Sequence, residues 1–156
     1  MQVLRSLLFL FLLVNLNAQT EFEKYFEKKT LRLDYTHAGN KTEDYYYFST
    51  LIEEPHWGGP VKNLLDPFNY GKYKAEVFDG ATGKLIYSKH YSSLFSEWQT
   101  TDEAKSINKA FEESVVMPFP KAPVKVTIST RLKDHSFVKK FEMDIDPKNY
   151  FIKKDR

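Results

Sequence analysis

The feature that most constrains this chain is a series of short segments in which apolar and polar residues alternate, separated by Gly and Pro. A period of two sends one set of side chains to a core face and the other to water, which is a strand pattern. Leu31, Leu33 and Tyr35 alternate with Thr30, Arg32 and Asp34. Asp44 to Ile52 is rich in Tyr, Phe and Thr, residues that favour pleated, half-buried surfaces. Tyr73 to Phe78 and Leu85 to Tyr91 flank Asp79-Gly80-Ala81-Thr82-Gly83, whose glycines supply the positive φ of a hairpin connection. Phe111 to Met117, Val124 to Ser129 and Phe137 to Ile145 complete about seven strands. Breaks fall at Glu53 to Gly59, at Lys62 to Asn69, at Pro118-Phe119-Pro120 with Pro123, at Lys133 to Ser136 and at Asp146-Pro147. This pattern predicts an all-β fold, an antiparallel, immunoglobulin-like β-sandwich. One short helix is expected, Asp102 to Asn108, because Thr100 and Glu103 have the spacing of a capping box. The tail beyond Pro147 reads either as a last strand or as a link to a further segment.

The N-terminus carries Arg5, an unbroken apolar run from Leu7 to Val14, and Ala18. This is the layout of a secretory signal peptide, residues 1–18, followed by a single domain over 19–156. The apolar run is shorter than the roughly 20 residues of a membrane-spanning helix. No Cys follows the cut to carry a lipid, so no membrane anchor is expected. The expected location is periplasmic or secreted. With no Cys anywhere, disulfides, thiol nucleophiles and Cys-ligated metals are excluded. The net charge is +2 with no block of basic residues, so neither nucleic-acid binding nor a polybasic membrane patch is indicated.

Motifs that carry chemistry are missing from the sequence. His37, His56, His90 and His135 are scattered, and none forms the i, i+4 pair of a helical zinc site. G-x-S-x-G, G-x-x-x-x-G-K-[ST] and G-x-G-x-x-G do not occur. Glu53-Glu54 and Glu112-Glu113 sit in strands, where neighbours point to opposite faces and make poor acid/base dyads. No catalytic residue, metal ligand or cofactor is therefore expected. Asn40-Lys41-Thr42 fits the acceptor pattern for N-glycosylation. Aromatic side chains are the remaining candidates. Tyr45-Tyr46-Tyr47-Phe48 places rings on both faces of one strand, and Trp57 stands in a Gly-rich loop. Tyr46, Trp57, Glu97 and Trp98 are the candidate partner or ligand surface, set against the alternative that these rings fill a core and its rim. Phe95 and Trp98, three apart, would share one side of a turn and make a corner.

Several longer motifs carry a resemblance. They are Ser93-Leu-Phe-Ser-Glu-Trp-Gln-Thr-Thr-Asp-Glu-Ala104, Pro118-Phe-Pro-Lys-Ala-Pro-Val124 and Tyr25-Phe-Glu-Lys-Lys-Thr-Leu-Arg-Leu-Asp-Tyr35 with Ala38-Gly39. Trp57-Gly-Gly59, Tyr73, Asp79 to Gly83, Ile86-Tyr87 and Ile145-Asp-Pro147 complete the set. Together they resemble the N-terminal domain of the bacterial IgA-peptidase type of zinc metallopeptidase, family 64, over about Phe22 to Ile152. The resemblance implies a β-sandwich that precedes a separate catalytic domain, which bears the zinc-binding His and Glu. Those ligands have no counterpart here, so the resemblance carries over neither metal nor peptidase activity. It implies an exported, non-catalytic accessory domain, a truncated or standalone relative. Its partner would be a metallopeptidase catalytic domain, a host or extracellular protein, or a glycan. The alternative is a carbohydrate-binding β-sandwich module that uses exposed aromatics.

Overall fold

The computed structural model describes residues 20–155. The apolar run Leu7 to Val14 and the cut expected at Ala18 lie outside the described residues. The chain enters through a one-turn helix α1, Glu21–Tyr25, closed by a reciprocal capping box between Thr20 and Glu23. Strands follow as β1 (Phe26–Gly39), β2 (Asp44–Glu54), β3 (Tyr73–Asp79) and β4 (Leu85–Tyr91). A second one-turn helix α2 spans Leu94–Trp98, and a 3-10 turn Glu103–Lys105. Then come β5 (Lys109–Pro120), β6 (Val124–Arg131), β7 (Phe137–Ile145) and the two-residue β8 (Lys153–Lys154).

The strands form two four-stranded sheets, ordered β5-β1-β2-β8 and β4-β3-β6-β7. One continuous core lies between them. Leu31, Leu33 and Tyr35 of β1, with Val115, Met117 and Phe119 of β5, face Ala75 and Val77 of β3 and Val126 and Ile128 of β6. These are the positions that the period-two alternation assigns to the core, because successive side chains of a strand point to opposite faces. The layering is the expected sandwich. In its first sheet the fifth strand pairs with β1, whereas the A-B-E-D order of an immunoglobulin sheet sets the fifth strand beside the second.

Four local expectations are corrected. First, the sheet containing β8 is mixed rather than antiparallel, since β8 pairs with β2 in parallel. Ile152 is buried in the core just before β8, and the Asp155 N–H donates to Glu53 O at 2.9 Å. The tail is thus drawn along β2 by one apolar anchor. Second, Pro118 and Pro120 do not break the chain but lie within β5. This strand is the edge of its sheet, where a missing N–H costs no ladder bond. Third, the helix expected over Asp102 to Asn108 is only the 3-10 turn. Fourth, Thr100 and Glu103 do not form a capping box. The Thr100 hydroxyl donates back to Glu97 O at 2.7 Å, and Glu103 accepts from Trp98 Nε1 at 2.6 Å and Lys109 Nζ at 2.8 Å. The true helix, α2, has no side-chain cap and is held by burial of Phe95 and Trp98. The β3–β4 hairpin forms as expected, but of its two glycines only Gly83, at φ +70°, takes the positive φ, whereas Gly80 does not and donates its N–H to Pro123 O at 2.9 Å. The Asp79 carboxylate accepts from Thr82 N and Oγ1. Among the described residues no helix is long and apolar enough to cross a membrane.

Candidate functional site

Among the described residues, aromatic and titratable side chains come together at a buried cluster and at an open cleft. The first is internal. His37 on β1 points inward with no solvent exposure, its ring stacked between Phe95 of α2 at 3.8 Å and Tyr46 of β2 at 4.1 Å. Nδ1 lies 3.1 Å from Glu113 Oε2. Nε2 lies 3.6 Å from Asp44 Oδ2, too long for a hydrogen bond, so Asp44 acts on the ring through its charge. Glu113 also accepts from the Tyr35 hydroxyl at 2.9 Å and from the Phe95 N–H at 3.3 Å. Asp44 is met by Lys140 Nζ at 2.6 Å and by Thr130 Oγ1 at 3.3 Å.

Burial alone would push the His37 imidazole down, but Asp44 and Glu113 outweigh it and raise its pKa. Burial would push both carboxyls up. His37 and Lys140 instead hold Asp44 at about 2, and His37, Ser93 and Tyr35 hold Glu113 below its ordinary value. Burial raises the Tyr35, Tyr46, Tyr73 and Tyr91 hydroxyls far above the neutral range, so they stay protonated donors. The cluster ties α2 to both sheets. His37 is fully buried and the Asp44 and Glu113 side chains are only 10% and 8% exposed, so the cluster does structural work. As strand alternation requires, Glu113 faces inward while its neighbour Glu112 faces outward to Thr36 Oγ1.

The second place is open. A cleft of about 700 Å³ lies where the long β2–β3 connection crosses the side of the sandwich. Its apolar wall is formed by Trp57, Pro60, Pro67, Phe68, Tyr87 and Val116. Trp57 is set there by β1. A bulge beyond Glu27 frees the Lys28 carbonyl, which accepts the Trp57 N–H at 3.1 Å, while Thr30 Oγ1 donates to His56 O at 2.6 Å. The indole donates to Pro60 O at 3.1 Å and meets Tyr87 edge-on at 5.9 Å. Gly59 lies against the ring, and a Cβ there would fall 2.2 Å from it.

The rest of the connection is pinned at both ends. Leu64 is buried and its carbonyl accepts from the Ser88 N–H at 3.0 Å. The Asp66 carboxylate accepts from the backbone N–H groups of Phe68 at 2.9 Å and His90 at 3.0 Å. Burial pushes the Asp66 carboxyl up, but those donors prevail and hold it below its ordinary value. Arg131 donates to the carbonyls of Asn69 at 2.7 Å and Gly71 at 2.9 Å. Between these anchors Phe68 and Tyr70 stand 71% and 77% exposed, their ring planes within 11° of parallel. A long connection held this firmly while presenting bare rings has the form of a binding loop.

The four candidate residues from the sequence do not share one place. Tyr46 points inward against His37, while Tyr45, Tyr47 and Phe48 of β2 are exposed. Trp57 is half-buried at the cleft. Trp98 is 8% exposed and packs with Phe95, Ala104 and Phe111 in a small satellite core, so it makes the corner. Glu97 is exposed on α2. Sequence reasoning passed over Phe68, Tyr70, Lys89 and Arg131. The available signal was two aromatics in Asp66-Pro-Phe-Asn-Tyr-Gly71, a segment too rich in turn formers to be core.

His90 Nδ1 sits 3.2 Å from Asp66 Oδ2, and His56 and His135 are exposed singly. Among the described residues no group of three or more His, Asp or Glu side chains is placed to hold a metal ion. The Asn40 side chain of the glycosylation pattern is engaged in the β1–β2 turn, accepting from Thr42 N at 3.0 Å and donating to Asn108 Oδ1 at 3.0 Å.

No curated protein matches this chain. The family model described as Peptidase M64 N-terminus matches residues 21–142, a span that runs from α1 into β7 and includes the His37 cluster and the Trp57 cleft. That span is well over half of the sequence, and the chain belongs to the Peptidase M64 N-terminus family.

Proposed function

We propose that this chain is an exported, non-catalytic recognition domain that works beside a metallopeptidase catalytic domain. The observation that carries the reading is the pairing of a peptidase N-terminal family match with a pinned, aromatic-lined cleft on the same sandwich. The polar groups of the molecule support it. Those that cluster around the buried His37 are largely buried and hold α2, while those at the open cleft have the layout of a binding site. The run Leu7 to Val14 with Ala18 supports export.

The test has two readouts. The purified domain should leave casein and IgA intact with or without zinc, and the mature protein should begin at or near Gln19 by mass spectrometry. Chelator-sensitive cleavage lost on mutating His37, His56, His90 or His135 would refute the non-catalytic role. A retained Met1 in exported material would refute the signal peptide.

A second reading, a carbohydrate-binding module, is favoured by the near-parallel, exposed pair Phe68 and Tyr70 and by Tyr45 and Tyr47 side by side on β2. A glycan panel that gives saturable binding lost in Phe68→Ala would favour it.

A further inference from the structure

The outer edges of the two sheets are not alike. An edge strand leaves one row of backbone N–H and C=O groups unpaired, and folded proteins blunt such rows with lysines, prolines, bulges or a covering segment. β5 carries Pro118 and Pro120 together with Lys109 and Glu112. β4 is covered by the β2–β3 connection, where the Ser88 N–H donates to Leu64 O at 3.0 Å and the His90 N–H to the Asp66 carboxylate at 3.0 Å. β7 carries Lys139 and Lys140, with a bulge at Lys140. The fourth edge is that of β2, because β8 pairs with only Ile52 and Glu53 of it. Among the described residues no strand lies beside Asp44 to Leu51 on that side. This row, Asp44-Tyr-Tyr-Tyr-Phe-Ser-Thr-Leu51, has no Lys, Arg, Pro or Gly. Its one charge, Asp44, is already met by Lys140. Tyr45, Tyr47 and Phe48 stand 49%, 58% and 48% exposed along it. A bulge at Ser49 ends its regular part at Phe48.

We propose that β2 pairs antiparallel with β2 of a second copy of this chain, joining the two first sheets across a two-fold axis at Tyr46. The row is its own complement. Residues directly opposed in an antiparallel pair share a face, so this axis sets Tyr45 of each copy opposite Tyr47 of the other, on the outward face. Asp44 then lies opposite Phe48, and no like charges meet. A row that offers only backbone groups and rings gives a charged partner nothing to pair with, whereas an identical row matches it bond for bond. The edge already accepts a strand, since β8 is held on it by backbone pairing at Ile52 and Glu53 and by the Asp155 N–H on Glu53 O. β8 also sets the limit. A pair centred on Tyr46 runs from Asp44 to Phe48 and ends short of Ile52, so β8 keeps its place. Because each copy uses its one bare row, the assembly closes at two. The row shares no residue with the Trp57 cleft, so the pairing stands independently of any ligand taken there.

Sedimentation velocity on the mature chain tests the pairing. It should show a monomer–dimer equilibrium that shifts with concentration and does not proceed to larger species. The double variant Tyr45→Lys/Tyr47→Lys sets lysines opposite each other across the join and should weaken the dimer about tenfold or more. Tyr45→Lys/Tyr47→Glu sets each Lys opposite a Glu and should restore it. Lys125→Glu, on the outer face of the second sheet, should leave it unchanged. Circular dichroism of each variant checks that the fold survives. Hydrogen exchange should slow at backbone amides between Asp44 and Phe48 when the protein is concentrated. A monomer at every concentration, growth beyond the dimer, equal association of the two double variants, or a dimer without added protection at Asp44 to Phe48 would each overturn the proposal. A labelled peptide of repeated Thr-Val separates a foreign strand from a second copy. If it protects those amides while the chain stays monomeric, the edge takes a foreign strand and the pairing is refuted.

Discussion

His37→Phe tests how the sandwich holds α2. Phe has the shape to fill the slot between Phe95 and Tyr46, but it removes the charge that lies 3.1 Å from Glu113 and 3.6 Å from Asp44. Breaking a buried ion pair from one side costs about 3–5 kcal/mol, because the remaining carboxylate is left uncompensated. Asp44 keeps Lys140, so the loss falls mainly on Glu113, which retains the Tyr35 hydroxyl, the Phe95 N–H and Ser93 but no charged partner. We expect about 3 kcal/mol at weakly acidic pH, toward the lower end of that range.

The pH dependence gives the sharper reading. His37 has a folded pKa above its ordinary 6.5, so its contribution is complete below 6.5 and is lost as pH rises through the folded value. Glu113 and Asp44 have folded pKa values below their ordinary 4.5 and 3.8. Their contribution is complete above those ordinary values and is lost as pH falls through the folded ones. Wild-type stability from this cluster should therefore peak between 4.5 and 6.5 and decline on both sides. Urea unfolding of wild type and His37→Phe, followed by Trp fluorescence across this range and above it, measures the difference. The gap between the two proteins should be widest in the weakly acidic window and narrow as the pH rises. A gap constant from weakly acidic to alkaline pH would show that the buried ring carries no charge and would refute the argument.

Other substitutions probe the corner and the cleft. Trp98→Ala should cost about 3–5 kcal/mol in urea unfolding, as for other large aromatic truncations, since it empties the satellite core and strips Glu103 of its indole donor. Thr100→Ala should cost within about 0.5 kcal/mol, as at surface sites, because its hydroxyl donates to Glu97 O and starts no helix; a loss near 1 kcal/mol would restore the capping role. Gly59→Ala should force the indole away from the cleft and shift the Trp57 emission with little loss of stability, and an unchanged spectrum would mean that the ring is not set by the glycine.

The strands were legible because their cause is local. Alternation at Thr30 to Tyr35 or Tyr73 to Phe78 reflects one wet and one dry face, and side chains two apart must share a face wherever the strand ends up. The family was legible for a related reason, since long ordered motifs such as Ser93 to Ala104 survive as sequence. Helix placement near Trp98 was misread because both candidate helices are about one turn long. At that length cap spacing alone is a weak guide, and for α2 burial of Phe95 and Trp98 in a tertiary corner decides. The prolines of β5 were misread because edge position, which excuses a missing N–H, is a property of the whole sheet.

The site shows the same division. The sequence by itself determined the strand faces, the hairpin at Asp79 to Gly83 and the absence of thiol chemistry, since each depends on residues close along the chain. Only the tertiary structure decided that Tyr46 turns inward while Tyr45 and Tyr47 turn out, since register against His37 and Ala38 selects the face. Only it brought His37, Asp44 and Glu113 together from three strands, and Trp57, Phe68 and Lys89 to one cleft. The physical reason is range. Backbone alternation acts over two residues, whereas a buried charge or a binding cleft is assembled from side chains far apart in the chain, whose approach is set by sheet pairing and core packing.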